Sequence, residues 1–214
     1  DALLGALAPV LVEPDGDPFS PAVVAVPTRG VERWLAQRLS HTLGAGDGAS
    51  SGVSANIDFP FPRALVEETV QHALGIEDDD PWTGSRTFWP LLEVVDSNLA
   101  EPWLTTLAAH LGGADLKDEP RRSRRGGVVR HIAGLYDRYA IHRPDMLRAW
   151  ALGREEDGTG NPLPAEALWQ ARLWAELRTR IGSPSPPERI EDACGRLRED
   201  PHLSDLPRCL AVFG

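Results

Sequence analysis

Ala22–Val26 reads AVVAV, a continuously apolar run that Pro27 stops, and the residues directly after it change to helical spacing. A run this short, apolar on both faces, suits a strand buried on both sides, as in a parallel sheet. Thr28 is placed to cap the helix that comes next. Val31, Trp34, Leu35, Leu39 and Leu43 then recur at the three- and four-residue intervals of one helix face. A strand, a short loop and a helix in this order commit the start of the chain to an α/β architecture.

The rest of the chain extends that pattern. Residues 2–12 predict the end of an amphipathic helix, and Glu13–Pro21 a loop. Gly44–Gly52 (GAGDGASSG) reads as a flexible loop and Val53–Phe59 as a second strand. Pro60 and Pro62 close that strand and open a helix to about Leu74. Glu77–Asp80 is an acidic loop. From residue 86 the spacing is helical, and helices are expected near 86–97, 101–112, 121–140, 144–153, 164–182 and 187–199. Cys209–Phe213 (CLAVF) is again a short apolar run and predicts a last strand. The expected fold class is α/β, predominantly helical, with a short parallel sheet. Residues 1–80 and the return strand at 207–214 would form one domain, and 81–206 a helical insertion. Three short strands leave unprotected sheet edges, so the natural chain is expected to extend beyond Gly214, and the missing initiator Met suggests that its start is trimmed.

Composition narrows the function. The net charge of −10 argues against a surface that coats DNA without specificity, and leaves room for a local basic channel. No apolar run reaches the roughly 18–20 residues that span a bilayer, and no signal-peptide pattern opens the chain. Cys194 and Cys209 stand apart from any other cysteine and fit neither a disulfide framework nor a zinc site. They read as reduced thiols of a cytoplasmic protein.

Catalytic motifs are sparse. A phosphate-binding loop needs a lysine to reach the phosphates, and Lys117, the one lysine of the chain, is followed by Asp118. Asp115-Leu116-Lys117 mimics the end of a nuclease motif, but it sits in a polar stretch without further carboxylates to hold metal. His131 and His142 read as surface histidines, and Glu67-Glu68 and Asp78–Asp80 as solvated charge. No catalytic residue is expected. Arg121, Arg122, Arg124, Arg125 and Arg130 form the strongest local charge, which Arg138, Arg143 and Arg148 extend. Such a helix either contacts phosphates or a partner, or is a solvated face balanced by Asp118 and Glu119. Of the seven tryptophans, Trp34, Trp103, Trp150, Trp169 and Trp174 fall on apolar helix faces and read as core. Phe61, between two prolines, is an exposed aromatic available for stacking on a base.

Several strings in order resemble the amino-terminal region of the RecC family, the gamma chain of exodeoxyribonuclease V: DPFSPAVVAVPTRGVERWLAQRLS, GVSANIDFPFP, GLYDRYAIHRPDMLRAW, ALWQARLWAEL and CLAVFG. The resemblance runs from about Asp17 to Gly214, with loops 112–120 and 153–163 matching poorly. It implies a degenerate superfamily 1 helicase RecA-like (1A-type) domain that lacks working ATPase motifs, with the helical stretch as an inserted 1B-type subdomain. ATP and magnesium would then belong to partner subunits. It also implies guidance of single-stranded DNA from a forked duplex, scanning for a recombination hotspot, and partners of the RecB helicase-nuclease and RecD helicase types. By this match Thr28, Arg29, Arg33, Phe61, Leu135, Asp137 and Arg143 are candidate strand contacts. The chain departs from the enterobacterial pattern, where several channel positions are Gln or Thr and one is aromatic; here they read Pro27, Arg29, Arg33 and Glu67. Arginine there suits guanine or phosphate, so the sequence read by such a channel would differ. The alternative is a scaffold that docks the helicase and nuclease subunits without touching DNA.

Overall fold

The computed structural model describes residues 2–12, 19–43, 52–76, 79–82, 84–111, 119–207 and 209–214. The chain forms two compact units, Asp1–Gly75 with Arg196–Gly214, and Ile76–Gly195.

In the first unit, α1 (Ala2–Val12) precedes β1 (Ala22–Ala25), α2 (Arg29–Ser40), β2 (Ile57–Asp58), α3 (Pro62–Leu74) and, at the far end of the sequence, β3 (Leu210–Val212). The strands make a parallel sheet in the order β2-β1-β3. Register is set by Ala22 opposite Ile57 on one side and by Val24 opposite Ala211 on the other. The central position of β1 explains its uninterrupted apolar sequence: Val24 and Val26 have no exposed surface, and Leu35 and Leu39 of α2 cover them together with Leu7 of α1. Each such side chain contributes about 1.5–3 kcal/mol by leaving water.

β2 is shorter than the expected run from Val53 to Phe59. Asn56 takes the left-handed conformation (φ 58°), which extended chain cannot accommodate, and its side-chain amide donates to the Ser20 carbonyl at 3.0 Å. Val53 is exposed. Trp34 also departs from expectation. It is 42% exposed, resting at 6.1 Å from the Phe213 ring rather than in the core.

The second unit is helical: α4 (Phe88–Asn98), α5 (Thr105–Leu111), α6 (Glu119–His142), α7 (Pro144–Ala151), α8 (Leu168–Ile181) and the first part of α9 (Pro186–Glu199). α8 packs on α4 and α7, and α6 packs on the same pair. Leu91, Val95, Leu104, Val129, Leu147, Leu173 and Leu177 are buried among them. At the start of α9 the Glu188 carboxylate reaches back to Ser185, whose backbone N–H and hydroxyl both donate to Glu188 Oε2 at 2.6 Å.

Two charged positions are buried: Asp80, which reads as part of a solvated loop, and Arg125, which reads as part of an exposed basic stretch. Asp80 pairs through both carboxylate oxygens with Arg189, and also accepts from the Trp82 backbone N–H. Arg125 turns inward to Asp96 at 2.8 Å. Each is drawn inside by an opposite charge that lies far away in the sequence, which local charge patterning does not reveal.

The poorly matching loop 153–163 is ordered by backbone contacts. Glu156 and Pro162 form an antiparallel bridge, and the Trp150 indole donates to the Glu156 carbonyl. The Asp157 carboxylate collects the hydroxyl and backbone N–H of Thr159 and the N–H groups of Asn161, which lower its pKa to about 2.

Candidate nucleic-acid interface

All three strands point the same way, so the segments leaving them emerge at one end of the sheet. The hydrogen-bond ladder continues past β1: the Val26 N–H donates to the Pro60 carbonyl at 3.0 Å, and the Phe213 N–H to the Ala25 carbonyl at 2.9 Å. Pro27–Arg29, Phe61 and Gly214 come directly after these residues. β1 has β2 on one side and β3 on the other, so the strand order reverses at β1. In open α/β sheets that carboxyl-end crevice is where ligands bind.

Thr28 caps α2, its Oγ1 accepting from the Val31 N–H at 3.2 Å. Its hydroxyl is therefore already committed to the helix. Arg29 and Arg33 stand one turn apart on the same helix face, both exposed, and neither has an ion-pair partner among the described residues. An unpaired arginine at the first helical position runs against the helix dipole, which favours an anion there. Phe61 precedes Pro62 at the start of α3 and is 38% exposed. Glu67, at a position where a family pattern has an aromatic, is tied to Arg63 at 2.6 Å.

The other candidates belong to the second unit. Asp137 is exposed on α6 and lines an aromatic cleft of about 680 Å³. Leu135 is half-buried on the same helix, outside that cleft. Arg143 is exposed where α6 gives way to α7, and its backbone N–H donates to the Tyr139 carbonyl. The structure thus groups Thr28, Arg29, Arg33 and Phe61 in one unit, and Leu135, Asp137 and Arg143 in the other.

The arginine series on α6 does not form a single basic face. Arg125 is buried against Asp96 and Arg130 lies 5.3 Å over the Phe88 ring, while Arg148, on α7, pairs with Asp145. The side chains of Arg121 and Arg122 lie outside the described residues, as do the loop 44–51, positions 77–78 and Asp115-Leu116-Lys117. Sequence reading missed the cleft and its most exposed aromatic, Trp89, because neither Trp82 nor Trp89 matches the apolar periodicity of its neighbours. Among the described residues no group of three or more His, Cys, Asp and Glu is placed to hold a metal ion, and no helix is long and apolar enough to cross a membrane.

Comparison with known proteins identifies the chain's relatives. The family model described as "RecC, N-terminal domain" matches residues 1–214. The RecBCD enzyme subunit RecC of Mycobacterium tuberculosis (strain H37Rv) is 44% identical over 217 residues, covering 100% of this chain and 19% of that protein. The corresponding subunit of Mycolicibacterium smegmatis is 42% identical over 216 residues, covering 100% of this chain and 18% of its own length. That of Escherichia coli K12 is 29% identical over 188 residues, covering 85% of this chain and 15% of its own length. The chain spans about a fifth of the length of the curated relatives it matches. It belongs to the RecC family, and the part of the family it represents is the amino-terminal domain.

Proposed function

We propose that this chain guides single-stranded DNA within an ATP-dependent helicase–nuclease of the RecBCD kind, in recombinational repair of double-strand breaks in the cytoplasm. The observation that carries the reading is the convergence of Thr28, Arg29, Arg33 and Phe61 at the carboxyl end of the parallel strands, beside the point where strand order reverses. Two exposed arginines one turn apart suit successive phosphates, and a half-exposed phenylalanine beside them suits a base. On this reading the sheet-bearing residues 1–80 and 207–214 are a degenerate RecA-like domain, and 81–206 its helical insertion. The motor and nuclease chemistry, with its ATP and magnesium, lies on RecB-type and RecD-type partners. The strand enters from a forked duplex and is scanned for a hotspot sequence as it passes.

The test is fluorescence anisotropy of labelled single-stranded DNA in a salt series, with the wild-type chain and Arg29→Ala/Arg33→Ala. Loss of two phosphate contacts should weaken binding and flatten the salt slope by about 1.4, since each contact on a single strand contributes about 0.7. Unchanged affinity and slope would remove these arginines from the interface and favour a scaffold that docks partner subunits.

A further inference from the structure

We propose that a groove between α5 and α6 seats an acidic amphipathic helix of a partner protein, its apolar side chains on the groove floor and its carboxylates against Arg124, His110 and His131. The proposal stands apart from strand guidance, because it uses no residue of the sheet end.

The groove has a volume of about 640 Å³ and is lined by Leu107 and His110 of α5, by Arg124, Val128 and His131 of α6, and by Trp169 of α8. None of these residues lines the aromatic cleft, which lies on a different face of α6. Along α6 the lining runs from Arg124 to Ile132, about 12 Å at about 1.5 Å per residue, the length of two helical turns.

Its floor is apolar and open. Leu107 and Ile132 are buried, so the available apolar contact falls to the half-buried side chains of Val128 and Trp169, which pack against the core from outside. Gly127, exposed between Arg124 and His131, contributes no side chain, and a Cβ there would meet nothing within 4 Å. A second backbone can therefore approach α6 closely at this point.

The rim decides the chemistry of the occupant. Arg124, His110 and His131 are all exposed, and none has an ion-pair or hydrogen-bond partner among the described residues. No carboxylate lines the groove. Arginines elsewhere in the same unit are paired, Arg172 with Glu155 and Arg178 with Glu188, in a chain of net charge −10. An uncompensated set of donors around an apolar floor is complementary to carboxylates that flank apolar anchors. The guanidinium can take one carboxylate through two parallel hydrogen bonds, and each imidazole can donate to another. Two turns of floor accept anchors spaced i and i+3 or i+4, the pattern of a helix laid in a groove. A nucleic-acid strand would find one guanidinium here, too few phosphate contacts to hold a polyanion against the negative charge of the whole chain.

The experiment titrates the full chain into a labelled amphipathic peptide of about three turns, with leucine at i, i+4 and i+7 on one face and glutamate beside it, and follows anisotropy in a salt series. One control peptide carries lysine for every glutamate, the other alanine for every leucine. The acidic peptide should bind at least about 10-fold more tightly than either control, and less tightly as salt rises. Arg124→Gln should weaken it about 1.5- to 5-fold, the worth of one exposed charge pair. Gly127→Glu fills the groove and places a carboxylate beside Arg124, and should abolish binding. Its thermal midpoint should be no lower than that of wild type, since glutamate is the better helix former, so the loss is not unfolding. The proposal fails if the acidic peptide binds no more tightly than its lysine counterpart, or if Gly127→Glu binds it as wild type does. It fails equally if Gly127→Glu abolishes binding of labelled oligodeoxycytidylate, which gives the groove to nucleic acid. A wild-type dimer in light scattering that Gly127→Glu turns into a monomer gives it to a second copy of the chain, and also overturns the proposal.

Discussion

Replacing Asp80 by alanine removes half of an ion pair that is buried on both sides. The Asp80 side chain is 6% exposed and that of Arg189 9%, and two hydrogen bonds join them, at 2.5 Å and 3.1 Å. Asp80→Ala leaves the guanidinium inside without a counter-charge, a loss of about 3–5 kcal/mol when one partner of a buried pair is removed. The Trp82 backbone N–H loses its acceptor as well, which adds about 1 kcal/mol. Arg189→Met in the same chain takes away the orphaned charge while keeping similar volume. An apolar substitute for a buried pair is close to neutral, so the double variant should recover most of the loss. Urea unfolding monitored by tryptophan fluorescence measures all four chains of the cycle, with Trp82 and Trp174 near the pair as reporters. The reasoning fails if Asp80→Ala costs less than about 1 kcal/mol, the value of an exposed pair. It fails equally if the double variant is no more stable than Asp80→Ala.

Local geometry sets two further outcomes. Gly158 has φ +86°, and a Cβ there would come within 2.6 Å of the Met146 backbone nitrogen, so Gly158→Ala should lower the thermal midpoint through a loss of at least about 1–3 kcal/mol; Gly160→Ala, at φ +92° but in open space, should cost less in the same scan. Burial works to raise the Glu188 carboxyl, but hydrogen bonds from Arg178 and Ser185 outweigh it and hold the group below its ordinary value of 4.5. A depressed carboxylate stabilises the fold above its unfolded value and loses that contribution as pH falls through the folded one, so acid destabilisation should begin below about pH 4.5; Glu188→Gln should flatten that limb in urea midpoints taken across it, and an unchanged limb would remove Glu188 as its source.

The elements were legible because each announces itself locally. AVVAV with Pro27 behind it suits a short buried strand, and the structure places it at the centre of the sheet. The helix after it starts at Arg29, next to the threonine that caps it. The helical stretch was equally plain, since α4 to α8 carry apolar side chains that the core consumes. What failed depended on partners distant in sequence. Asp80 reads as solvated charge, and Arg125 as part of an exposed basic stretch, until Arg189 and Asp96 are seen opposite them. The second strand shrank because one residue, Asn56, bends backward to reach Ser20.

The candidate site divides along the same line. Thr28, Arg29, Arg33 and Phe61 enter through the family resemblance and not through local pattern; the structure sets Thr28 and Phe61 just past strand ends and Arg29 and Arg33 in the first two turns of α2. The residues that line the aromatic cleft come from α4, the turn at Trp82, α6 and α8, which no local pattern brings together. Helical spacing locates α6 itself, because Val129, Ile132 and Tyr136 recur at the intervals of one face and are buried there. What spacing cannot report is which other helices meet it, and a cleft is made by that meeting.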